Sequence, residues 1–83
     1  MHYIILCRSL TQAQRAARLL EGGGIFASVT KAPQSANPRG CSYGVKVGER
    51  NVHAALSLLR GAGVRTGAVF ALDARGGIRE VAL

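Results

Sequence analysis

Apolar residues recur along this chain in two rhythms, and the switches between them outline its elements. His2–Cys7 carries Ile4, Ile5 and Leu6 without a break, as a strand central in a sheet does. A helix is predicted next. Ser9 with Gln12 three residues on has the spacing of a capping box, and Thr11 with Gln14 is the rival cap. Leu10, Ala13, Ala16, Ala17 and Leu20 fall on one helical face, and Gly22, Gly23 and Gly24 end the helix. Ile25–Thr30 alternates Ile25, Ala27 and Val29 against Phe26, Ser28 and Thr30, the period of a half-buried strand.

Lys31–Gly40, with Pro33, Asn37 and Pro38, reads as a loop longer than a tight hairpin needs. Tyr43, Val45 and Val47 then alternate with Gly44, Lys46 and Gly48 as a third strand. Glu49–Ala62 reads as the second helix, with Val52, Ala55, Leu56, Leu59 and Ala62 as its apolar stripe. Gly67–Asp73 reads as a fourth strand, Ala74–Gly77 as a turn, and Ile78–Leu83 as a fifth strand.

The two halves form a weak repeat of strand, helix and strand, each helix ending in Gly-x-Gly before Ile25 or Val64. Right-handed crossovers fold such halves into an α+β, ferredoxin-like βαββαβ sandwich: a four-stranded antiparallel sheet with both helices on one face. The expected strand order is 4-1-3-2, with the fifth strand extending the edge beside the fourth. With 83 residues and no linker, residues 1–83 are read as a single domain.

That order brings chemistry to one rim of the sheet. The end of the first strand, at Cys7, is expected beside the start of the third, at Cys41 to Tyr43. The first helix begins at the same end, so both thiols would share a rim with Arg8, Ser9, Thr11, Arg39, Gly40, Ser42 and Tyr43, and glycine turns would occupy the opposite rim. A helix N-terminus and nearby cations favour a thiolate, the form that attacks and carries sulfur. Cys41, in a polar Gly/Pro/Arg loop, is the candidate nucleophile or carrier thiol, and Cys7 the candidate resolving thiol. Cys7 also fits a plain packing role, because it sits in an apolar strand.

Composition narrows the classes. Two cysteines make no disulfide framework, and two histidines offer no zinc spacing, so neither a metal nor a cofactor is expected. No apolar run approaches the roughly 20 residues of a membrane helix, and no signal pattern opens the chain; no membrane partner and a cytoplasmic location are expected. The carboxylates are too few and dispersed for paired acid–base catalysis. Eleven basic against four acidic residues give +7, which favours anionic partners. Nucleic acid is one of these: Arg39-Gly40 and Tyr43 partly fit the RNA-recognition pattern, with Tyr3 as a second stacking platform. The uncovered sheet face also invites a homodimer.

The chain resembles a family of small selenium/sulfur-carrier-like domains. The resemblance spans residues 3–72. It includes Cys7-Arg8-Ser9-Leu10-Thr11, then Ala13, Leu19 and Leu20, then Gly24-Ile25. Ala32-Pro33 and small polar residues lead to Cys41, and Val69-Phe70 closes the pattern. The family usually has Ser-Ser-Cys-Gly at the loop; here the stretch is Pro38-Arg39-Gly40-Cys41-Ser42-Tyr43-Gly44, with the glycine after the cysteine displaced. The resemblance implies Cys41 as the sulfur- or selenium-bearing residue of a carrier rather than a stand-alone enzyme, with sulfur- or selenium-donating and -accepting proteins as partners.

Overall fold

Backbone hydrogen bonding joins the strand-forming segments into one antiparallel sheet. A computed structural model describes residues 1–31 and 43–82. Its elements are β1 (His2–Cys7), α1 (Leu10–Gly22), β2 (Ala27–Lys31) and β3 (Tyr43–Gly48), then a short 3₁₀ turn at Glu49–Asn51, α2 (Val52–Gly61), β4 (Val69–Leu72) and β5 (Ile78–Val81). The sheet order is β2-β3-β1-β4-β5, so β1 is central, as its continuous apolar run requires. All neighbours pair antiparallel, and the sheet has five strands, one more than the expected four-stranded core.

Register sorts the side chains onto two faces. Tyr3, Ile5 and Cys7 of β1 stand opposite Val47, Val45 and Tyr43 of β3. These residues share the face covered by the helices, with Ala13, Ala16 and Leu20 of α1 and Val52, Ala55, Leu56 and Leu59 of α2. Ile5, Leu20 and Leu59 are fully buried there. The other face carries Ile4, Lys46 and Phe70 in one row across β1, β3 and β4. Gly44 lies one row further on; a Cβ there would come within 2.8 Å of the Ile5 carbonyl oxygen, so the strands approach too closely for a larger residue.

Both helices end the same way. Gly24 (φ +80) lets the Ile25 N–H donate to the Leu20 carbonyl, and Gly63 (φ +76) lets the Val64 N–H donate to the Leu59 carbonyl. This is the Schellman arrangement, in which an apolar residue past the glycine folds back on the last helical turn. It explains one departure from the sequence expectation: Ile25 completes the α1 cap, so β2 starts at Ala27 rather than Ile25.

Other boundaries shift for local reasons. The second helix opens as the 3₁₀ turn and has no side-chain N-cap bond. The fourth strand proper starts at Val69, after Leu6 exchanges backbone bonds with Gly67 and Ala68. β5 ends at Val81. Lying at the edge of the sheet, β2 leaves Val29 36 % exposed, and Phe26 just before the strand is 82 % exposed. No helix among the described residues is long and apolar enough to cross a membrane.

Candidate functional site

Three strand ends and one helix start meet at a single rim. β1 ends at Cys7, opposite Tyr43 at the start of β3. Arg8 and Ser9 follow, and α1 begins at Leu10. Ser9 is the N-cap: its hydroxyl accepts the Gln12 N–H at 3.2 Å, which decides between the two caps the sequence allows. Thr11 lies in the exposed first turn of α1. Lys31, at the end of β2, pairs with Tyr43. Arg39, Gly40, Cys41 and Ser42 lie outside the described residues.

Cys7 faces inward at 5 % exposure and belongs to the main apolar cluster. Its thiol is free and donates to the Ile5 carbonyl at 3.7 Å. The expectation that its neighbours favour a thiolate does not hold at this residue: burial pushes the Cys7 thiol above its ordinary value, because removing water disfavours the charged form. A raised value makes folding favour the neutral thiol. That stabilisation is fully present below the unfolded thiol's value, about 8.5, and fades as pH rises through the folded one. The stability advantage of the wild type over Cys7→Ala, read from urea midpoints, should therefore shrink from neutral pH to alkaline pH. An advantage that grows with pH would contradict the burial account.

On the β4 side, the segment before the strand lines the same rim. Leu6, Cys7, Arg8, Arg65, Thr66 and Gly67 surround a cavity of about 310 Å³. Arg8, Gln12, Arg15, Gly63 and Arg65 surround a second of about 210 Å³. Arg8 and Arg65 thus form a wall common to both.

A family model described as "Putative Se/S carrier protein-like" matches residues 2–71. The chain belongs to this family. Neither a curated protein nor a solved structure matches the chain. The matched residues include the described rim residues Cys7, Arg8, Tyr43, Arg65 and Gly67, and the sequence position of Cys41.

Within this carrier-like domain, sequence reasoning missed Arg65, Thr66 and Gly67. Yet the antiparallel argument that set Tyr43 beside Cys7 applies equally to the other neighbour of β1. The start of β4 must lie at the end of β1, which brings Arg65 to the rim. The expected separation of glycine turns to the opposite rim is also corrected. α2 starts at the far rim and runs back, so Gly63 just past its end shares a cavity with Arg8. The aromatic platform for RNA is not met either: Tyr3 and Tyr43 pack against the helix-side core, whereas base stacking needs rings on the uncovered face.

Proposed function

We propose that the chain carries sulfur or selenium on Cys41, taking it from one protein and giving it to another. Family membership supplies the type of chemistry, and the burial of Cys7 carries the residue assignment. A carrier needs a thiol that a partner's reactive atom can reach, and the sequence has only two cysteines. One of them is a packed core residue with a disfavoured thiolate. Cys41 is the other. It precedes Tyr43 by two residues, a span of chain reaching at most about 7 Å, and Tyr43 stands at the rim beside the start of α1 and Arg8.

Loading needs no outside oxidant. The Cys41 thiolate attacks the terminal sulfur of a donor persulfide; the donor's S–S bond breaks as a new one forms on Cys41. The donor leaves as a thiolate, and the proton stays on the transferred sulfur. Arg8, Ser9, Thr11, Arg39, Gly40, Ser42 and Tyr43 are the proposed surroundings, with Cys7 supporting the strand beneath rather than resolving the adduct. The fold is proposed to be ferredoxin-like with an added edge strand; the duplicated helix caps and the central place of β1 support this.

The test is incubation with a cysteine desulfurase and cysteine, followed by intact mass measurement. Wild type and Cys7→Ala should gain one sulfur, and Cys41→Ser none.

A further inference from the structure

The smaller rim cavity adds to Arg8 two further arginines that carriage of an atom on Cys41 does not use. Arg8, Arg15 and Arg65 line it, contributed by the end of β1, by α1 and by the segment between α2 and β4. Among the described residues no carboxylate side chain lines it. The four acidic residues of the sequence are Glu21, Glu49, Asp73 and Glu80. Glu21 lies near the end of α1, Glu49 just after β3 and Asp73 just after β4, all toward the far rim, and Glu80 is on edge strand β5. Three arginines thus line one cavity, and their planar donor forks suit an oxyanion.

The backbone adds to this. α1 points its N-terminal end, the positive pole of its dipole, at this rim. The negative pole of α2 also ends here, but its last carbonyls are engaged. Leu58, Leu59 and Arg60 accept bonds from the N–H groups of Ala62, Val64 and Gly63. The volume of about 210 Å³ compares with about 30 Å³ for a liquid water molecule, enough for a tetrahedral oxyanion with some of its water. Through the shared wall of Arg8 and Arg65, the second cavity adds Leu6, Cys7 and Thr66, a less polar place for an organic body attached to the anion.

We propose that Arg8, Arg15 and Arg65, with Gln12, bind a phosphate-class oxyanion, free or as the charged end of a small organic phosphate. This site stands on its own arginines and does not depend on the carrier role of Cys41.

The experiment is a titration of the full chain with inorganic phosphate and, separately, with adenosine monophosphate at fixed ionic strength, followed by amide NMR. Saturable shifts are expected at Leu10, Thr11, Gln12 and Gly63. Arg15→Gln and Arg65→Gln should each weaken binding about tenfold, the loss of one charge-assisted contact. Arg75→Gln, in the turn between β4 and β5 at the far rim, should leave it unchanged, and so should Cys41→Ser. Urea midpoints near wild type would show that the variants fold. If phosphate binds as tightly as the nucleotide, the ligand is the free anion; tighter nucleotide binding with added shifts at Thr66 and Gly67 identifies an organic phosphate. The proposal is overturned if Arg15→Gln and Arg65→Gln bind like wild type, or if Arg75→Gln weakens binding equally. It is also overturned if chloride at the same ionic strength gives the same shifts, or if only a short single-stranded RNA binds.

Discussion

Replacing Cys41 with serine should abolish the sulfur adduct completely, while replacing Cys7 with alanine should leave it at wild-type level. The asymmetry comes from where each thiol stands. Cys7 points into the core between the sheet and the helices, opposite Tyr43 and beside Ile5. At 5 % exposure it touches the rim cavity only at its floor, so a donor persulfide held on another protein meets little of its sulfur. Its neutral form is also favoured by burial, so little of it is thiolate at neutral pH. Serine at position 41 keeps the size and polarity of the side chain but cannot form a sulfur–sulfur bond. Partial loading of Cys41→Ser, or labelling shared equally between the two cysteines, would assign the chemistry to Cys7 or to both.

Leu20→Ala should cost about 2–5 kcal/mol, a large share of the roughly 4–12 kcal/mol expected for a domain this size. Leu20 is fully buried between α1 and the sheet. Its carbonyl also accepts the Ile25 N–H that closes the helix cap. Truncation leaves a cavity at the point where α1 turns into β2, which relaxes poorly because the cap fixes the backbone on both sides. A urea titration should show a lower midpoint with an unchanged slope. A loss under about 0.5 kcal/mol would mean that the position is not the packed centre of the fold. The same loosening should reach the rim, since α1 carries Ser9, Gln12 and Arg15 at its other end.

Much of this architecture was legible in the residues. Continuous apolar residues in His2–Cys7 meant a central strand, and β1 is central. The Gly-x-Gly before Ile25 and Val64 meant helix ends, and both are Schellman caps. What failed depended on particular bonds and neighbours. Whether Ile25 belonged to a strand or to a cap was set by one local backbone bond, from its N–H to the Leu20 carbonyl, which the alternation of apolar residues does not register. The apolar strand around Cys7 already favoured packing over a resolving role, and the structure adds that the residue is buried in the helix-side core although Arg8 beside it is exposed. Arg65 and Gly63 are distant from Arg8 in sequence, and they join it because β4 returns beside β1 and α2 runs toward the same rim.

The central claim is that one cysteine is reactive and the other is packed. Competitive alkylation across pH, with each site quantified by peptide mass, tests it most directly. Cys41 should react at least as fast as a free thiol in the folded chain. Cys7 should stay unlabelled until the protein unfolds. Equal labelling of both in the folded chain, or a Cys41 slower than Cys7, would contradict the account.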